Sequence, residues 1–322
     1  MLKSTTFSIL AFLISTATAV AIAEGTLRLK NSSMRNYDIE MWRYARELKV
    51  LSDNSTLGHE HIRNTSAILQ SVNIRTNEWG LRGGIVPPVS VSGGRRILFL
   101  GSSITLGWGV TEEETLTSRL QEKFAQRGEE VIVLNAGVGN YNAERFAELF
   151  FTKLKELEPT DIVVQYFLRD AEKLETGGGN WLLRNSQLAV TVWIAANRLF
   201  KNTGEESLVD HYREVYQPDQ PGYLTMKRSL RNISEYSKSK GIRLFLAMTP
   251  DVHNLKNYEF QFVHDKMENI ATDLNYRYID LLPAFGALTS KDVWAMPGDP
   301  HPNSLGHELM AEAIFAFLAD AN

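Results

Sequence analysis

The chain has 322 residues, 43% of them hydrophobic and 22% charged, with 22 Gly and 10 Pro, a composition that excludes collagenous, disordered and polytopic membrane chains. Lys and Arg number 34 against 38 Asp and Glu, a net charge of −4, so there is no basic excess to neutralise a run of phosphates and nucleic acid is not expected as a partner. Zero cysteines exclude disulfides, thiolate metal sites and a cysteine nucleophile, while leaving the redox compartment open. In chain order, the first element is apolar. The 20 residues from Ser4 to Ala23 carry no charge, and about 20 are what one membrane-spanning helix requires. Residues 1–30 are therefore expected to be a membrane anchor or a signal peptide, since Ala17-Thr18-Ala19 and Ala21-Ile22-Ala23 both have the small-x-small form of a cleavage site. The flanking charges, Lys3 against Arg28, Lys30 and Arg35, by themselves favour a body on the cytoplasmic side.

Residues 31–94 read as an N-terminal subdomain. They hold an amphipathic stretch from Tyr37 to Leu51, a histidine-containing loop at Gly58-His59-Glu60-His61, and strand-like alternation from Val72 to Thr76. His59, Glu60 and His61 are adjacent in one loop with no third histidine nearby, so they are expected as structural or surface groups and not as metal ligands.

From Arg95 onward the pattern is β-then-α, the signature of a parallel sheet with crossover helices. Five strands are predicted, at Arg95–Gly101, Val131–Asn135, Asp161–Leu168, Ile242–Met248 and Tyr276–Leu282. The first crossover helix is expected to open on a Thr111/Glu114 capping box, to bury Leu116, Leu120 and Phe124, and to end at Gly128. The second carries Phe146, Phe150, Leu154 and Leu157 up to Pro159. A helical insertion is placed at about 173–240, with Gly177-Gly178-Gly179 followed by a hydrophobic helix from Trp181 to Phe200. The closing helix is expected to bury Leu305, Leu309, Ala313 and Phe317.

In an open parallel sheet, ligands bind outside the carboxyl ends of the strands. The loops there read Gly101-Ser102-Ser103-Ile104-Thr105-Leu106-Gly107, Asn135 to Asn142, Arg169-Asp170-Ala171-Glu172, and Pro297 to His307. Together they offer what acyl transfer needs. A serine hydroxyl requires a base, an imidazole is the usual base, and a carboxylate orients the imidazole. Ser103, His301 and Asp299 fill those roles, with the Ser103 N–H and the glycine-bearing loop after strand two as donors to an oxyanion. Either piece alone is a weak signal; the order, serine early and Asp-x-His late in the same sheet, is the stronger one.

These blocks resemble the SGNH (GDSL-like) hydrolases from Arg95 to the C-terminus. The resemblance implies a three-layer α/β/α sandwich with a five-stranded parallel sheet of flavodoxin-like order, and a hydrolase-like domain over 95–322. It also implies Ser103 as nucleophile, His301 as base and Asp299 as its partner, with no cofactor and no metal. Ser102 stands where the family usually has Asp, and the aspartate precedes the histidine by two residues, as in the branch that modifies exopolysaccharides with acetyl groups. The oxyanion glycine falls at Asn140, with Gly139 as the alternative donor, and Arg169 occupies the place of the oxyanion Asn while Asp170 keeps its neighbour's place. The function implied is an esterase or O-acyltransferase acting on acetyl groups of an envelope polysaccharide, exported or membrane-anchored and facing the periplasm or exterior. A membrane protein that delivers the acyl group is the expected partner. The alternative is a carbohydrate-binding or assembly protein on the same fold, with Arg169 holding an anionic sugar. Nucleotide or flavin binding is disfavoured, because no Gly-x-Gly-x-x-Gly cradle follows strand one.

Overall fold

Alternation of short apolar runs with amphipathic helices organises the chain. The structure, a computed structural model, describes residues 2–88, 94–174, 180–201, 207–297 and 301–319. Its first half contains α1 (Leu2–Asn31), α2 (Tyr37–Glu47), β1 (Lys49–Leu51), β2 (His59–His61), β3 (Thr65–Leu69), β4 (Val72–Thr76), β5 (Arg95–Gly101), α3 (Ser103–Leu106), α4 (Leu116–Gln126), β6 (Val131–Gly137) and α5 (Ala143–Thr152). Then follow β7 (Asp161–Tyr166), α6 (Trp181–Asn185), α7 (Gln187–Lys201), α8 (Leu208–Val215), α9 (Pro221–Lys240), β8 (Arg243–Met248), α10 (Gln261–Asp273), β9 (Arg277–Asp280), α11 (Ser290–Val293) and α12 (Ser304–Ala319). Two compact units result, one from residues 1–46 with 177–205 and the other from 47–176 with 206–322.

In the larger unit the five strands pair in parallel in the order β6-β5-β7-β8-β9. Helix α4 crosses from β5 to β6, and α5, α9 and α10 lie on the next three crossovers. Helix α4 packs with α12 and α5 with α9, which completes the three layers. The central strands are apolar on both sides, as a sheet covered on both faces requires; Ile97 to Leu100 and Ile162 to Val164 are all buried. At the amino ends, the buried carboxylate of Asp161 accepts from Arg95 and Arg243, each 3.0 Å away, and so ties β5, β7 and β8 in register.

The predicted strands and the α/β/α layering are present, with local differences. The Glu114 carboxylate does bond back to Thr111, but this closes a turn ahead of the helix; the cap itself is Thr115, whose hydroxyl accepts from the Ser118 N–H. In α12 the buried residues are Gly306, His307, Met310, Ala311, Ile314 and Leu318, a stripe beside the predicted one; Leu309, Ala313 and Phe317 pack against the core partly buried, and Leu305 is exposed. Helix α12 is apolar nearly all round, so periodicity could not choose its face. The histidine-containing loop is strand β2, paired antiparallel with β1. The predicted hydrophobic helix from Trp181 is broken at Ser186 into α6 and α7. Gly177-Gly178-Gly179 lie outside the described residues.

In the smaller unit, α1 is long and apolar enough to cross a membrane, and among the described residues its apolar part is exposed. Its last turns hold α6 and α7. The Glu24 carboxylate accepts from the Ser186 hydroxyl and from the N–H groups of Gln187 and Leu188, at 2.9, 3.1 and 2.8 Å, where the first turn of α7 has no partners of its own. Asn31 donates to Gln187, Arg28 to the Asn185 carbonyl, and the Trp42 indole to the Leu183 carbonyl.

Two buried histidines of the larger unit make its stability depend on pH. His307 accepts the Leu116 N–H at Nδ1, and His61 donates to the Gly80 carbonyl. Burial, reinforced by nearby cations, pushes them down to about 3 and about 4. Both stay neutral in the fold while the unfolded chain takes up protons near pH 6.5. Their contribution is complete above that pH and is lost as pH falls toward 4, at up to ~1.4 kcal/mol per pH unit for each histidine. The melting temperature of the full chain in detergent should therefore drop as pH falls from 6.5 to 5. His307→Gln should start lower and fall less steeply; an equal slope would show that His307 does not titrate in the unfolded chain alone.

Candidate active site

The site begins where β5 ends. Parallel register sets Gly101 opposite Gly137 on β6 and Gln165 on β7. The chain then turns at once into α3, a single turn with Ser103 as its first residue; the Gly107 and Trp108 N–H groups both return to the Ser103 carbonyl at 3.1 Å. This turn lies directly on the end of the sheet. A Cβ on Gly137 would stand 2.1 Å from the Leu106 nitrogen, and one on Gly101 would stand 2.9 Å from the Gln165 carbonyl. Asn135 stitches the same contact, donating to the Thr105 carbonyl and accepting the Gly137 N–H. Beyond the turn, the buried guanidinium of Arg82 donates to the carbonyls of Leu106, Gly107 and Val110 at 2.5–2.6 Å. A fixed cation thus occupies the carbonyl end of the serine-bearing turn.

His301 comes from the other end of the chain. Its Nε2 is 2.7 Å from the Ser103 Oγ, across 198 residues of sequence, and the ring is buried. Its carbonyl accepts the Ala295 N–H and a bridge pairs Trp294 with Pro302, so the backbone just before α12 fixes the ring's position. With the proton on Nδ1, the serine hydroxyl donates to Nε2, the arrangement from which an imidazole takes that proton. Asp299 lies outside the described residues.

The loop after β6 is held against the serine turn by the Val138 N–H on the Gly101 carbonyl. Asn140 adopts a left-handed φ of 63°, which Asn tolerates better than most residues. The Lys49 ammonium donates to the Gly139 carbonyl at 2.6 Å, and His59 donates to the same oxygen from Nε2 at 3.1 Å. Arg145 donates to the Asn140 carbonyl at 3.2 Å, and the Tyr141 hydroxyl to the His59 carbonyl. Burial, with Arg145 close by, lowers Lys49 to about 7; burial, with Lys49 close by, lowers His59 to about 3.

Arg169 lies in the short turn Leu168–Ala171 after β7. Its side chain is 54% exposed and pairs with Glu172 at 3.3 Å, and Glu172 also accepts from the Tyr212 hydroxyl. Its neighbour Asp170 is buried: Oδ2 accepts the Phe167 N–H, Oδ1 has no partner among the described residues, and burial pushes the carboxyl well above the usual range. Among the described residues no three His, Asp or Glu side chains converge as a metal site would require.

Sequence reasoning passed over two features. Lys49 carried no local signal, because its partner is 90 residues away. Asp251 and His253, after β8, repeat the Asp-x-His spacing and form a dyad, Nδ1 lying 2.9 and 3.0 Å from the two carboxylate oxygens. That pair sits beside the His301 segment through the Trp294 indole, which donates to the Val252 carbonyl.

The family model for the GDSL-like lipase/acylhydrolases matches residues 99–309, from within β5 to within α12. The chain belongs to that family. It is an SGNH-type hydrolase acting on ester bonds. Among solved structures it is similar to TesA (14% identity, TM-score 0.48, covering 71% of this chain and all of that one). It is also similar to the esterase EstA from Pseudoalteromonas (16%, 0.42, 70% and 99%) and to a Geobacillus acetyl-xylooligosaccharide esterase, Axe2 (14%, 0.45, 69% and 93%). No curated protein matches the chain.

The packing of the serine turn yields a direct test. Gly137→Ala places a methyl where the Leu106 backbone now lies, so the turn must move, and displacements near 1 Å at a reacting group cost about 10²-fold in rate. Hydrolysis of p-nitrophenyl acetate by this variant should fall at least that far, whereas Gly128→Ala, at a helix end with open space around it, should lose stability alone.

Proposed function

We propose that this hydrolase uses Ser103, His301 and Asp299 as a catalytic triad on acetyl esters of an envelope polysaccharide, forming an acyl-enzyme that is released to water or to a sugar hydroxyl. The 2.7 Å contact between Ser103 and His301 in a chain of the acylhydrolase family is the observation that carries this reading. Ser103 Oγ attacks the acyl carbon as His301 Nε2 takes its proton. The tetrahedral oxyanion faces the Ser103 N–H and the N–H of Asn140 or Gly139. Collapse expels the sugar oxygen, which receives the proton from His301, and a second hydroxyl then repeats the steps in reverse. Asp299 holds the imidazole with its proton on Nδ1. The Asp-x-His spacing, like that of the branch acting on acetylated exopolysaccharides, supports the substrate class.

The apolar helix α1 supports attachment to the cytoplasmic membrane, with the hydrolase on its outer side near a membrane partner that supplies acyl groups. Arg169 has its partner in Glu172, which supports a role in holding the loop after β7.

A fluorophosphonate probe should add covalent mass to Ser103 in the full chain and none to Ser103→Ala. Ser103→Ala and His301→Ala should each abolish turnover without lowering the melting temperature, and the double variant should be little worse than either. Near-native turnover by Ser103→Ala would exclude the covalent route. Incubation with an acetylated polysaccharide and a deacetylated acceptor, scored for free acetate against acetylated acceptor, separates hydrolysis from transfer.

Arg169→Asn should change kcat/KM for p-nitrophenyl acetate by less than about threefold while lowering the melting temperature, as loss of a partly exposed ion pair would. A loss of 10²-fold or more in kcat would instead identify Arg169 as an oxyanion donor.

A further inference from the structure

Helix α7 is unlike the other surface helices of the chain. From Gln187 to Asn197 it has no charged residue, and Val192 and Trp193 are exposed along it; in the adjoining α6, Trp181 and Leu182 are exposed as well. One face of α7, with Gln187 and Val190, is buried, while Val192 and Trp193 are exposed on another, and large uncharged apolar side chains on a free helix face suit lipid better than water. At 15 residues α7 is about 22 Å long, too short to span a hydrocarbon layer of about 30 Å. Its place is defined by α1. The contacts from Glu24, Arg28 and Asn31 to residues 185–188 all lie just after the uncharged stretch that ends at Ala23, which is where a spanning α1 would leave the hydrocarbon. The face of α1 covered within the unit is confined to its last two turns.

We propose that α6 and α7 lie in the head-group region of the bilayer, with Trp181, Leu182, Val192 and Trp193 inserted at the acyl boundary beside the end of α1. Tryptophan is the residue that favours this depth, its ring apolar and its N–H able to bond at the surface. The inference rests on the reading that α1 stays in the membrane. It makes the insertion a second attachment.

The absence of cysteine in the chain allows single spin labels at Ile14→Cys, Leu182→Cys, Val192→Cys and Lys240→Cys, in full-length protein reconstituted into phosphatidylethanolamine/phosphatidylglycerol vesicles. Labels at 14, 182 and 192 should relax faster with oxygen than with a water-soluble nickel chelate, and the label at 240 should show the reverse. Labels at 182 and 192 that behave like the one at 240, while 14 stays in lipid, would overturn the inference and leave the anchor standing. Water exposure at 14 would remove both. Dipolar coupling between 192 labels that survives dilution into excess lipid would assign the face to a second copy, against the proposal.

A different observation carries a second inference. The Gly139 carbonyl and the Asn140 N–H belong to one peptide plane and, in a trans peptide, point in opposite directions. We infer that Lys49 and His59 are positioning residues: by holding the Gly139 oxygen they aim the Asn140 N–H at the oxyanion, and the ammonium polarises the amide that donates. This deepens the proposed mechanism, and it gives the β1–β2 hairpin a catalytic purpose.

Lys49→Met keeps the aliphatic stem and removes the donor. It should lower kcat for p-nitrophenyl acetate about tenfold with KM unchanged, less than the 10²–10³ cost of deleting an oxyanion donor outright. Lys49→Arg should recover most of that loss, and His59→Gln, which can still donate to Gly139, should lose less than His59→Phe. Unchanged kcat in Lys49→Met, with Ser103→Ala inactive, would overturn the positioning role and leave the triad intact. Should Lys49→Met unfold, the contrast between His59→Gln and His59→Phe decides, equal kcat in the two counting against the inference.

Discussion

Everything at the active site depends on two backbones approaching without side chains between them. Gly101 and Gly137 face each other at the ends of neighbouring parallel strands, and the serine turn folds back over that gap so closely that a single methyl on Gly137 would overlap the Leu106 nitrogen. Because β5 ends flush with β6, the first residue able to project above the sheet is Ser103. The same close approach brings the loop after β6 to the turn, where the Val138 N–H meets the Gly101 carbonyl.

Side-chain donors on the loop carbonyls complete what the glycines allow. Arg82 satisfies three carbonyls at the far end of the serine turn, and Lys49 and His59 share the carbonyl of Gly139. A cation removed from water is costly unless its donors are used, and backbone carbonyls in tight loops are costly unless accepted. Each need answers the other. All three side chains come from residues 49–82, so the segment ahead of the α/β alternation is the frame of the candidate site's loops.

Much of this architecture was legible early. Strand positions, the Gly101-to-Gly107 block and the late Asp-x-His block came from local pattern, and the loops after β5 and before α12 meet as the parallel topology requires. Arg169 was less legible. Its place in the chain gave no direction for its side chain, which is partly exposed and pairs with Glu172, three residues on. The buried stripe of α12 was misplaced for a related reason: with apolar residues on nearly every side, the helix takes its orientation from the sheet and from α4.

The sequence by itself determined the elements, their order and the apolar N-terminal segment, because each depends on residues close together in the chain: periods of 2 and 3.6, turn glycines, an uncharged run. Only the tertiary structure decided that Ser103 and His301 touch, that Lys49 and His59 grip Gly139, that Asp170 is buried while Arg169 is not, and that Glu24 caps α7. Those contacts join residues up to 198 positions apart, and their strength lies in burial and geometry, which no local pattern encodes.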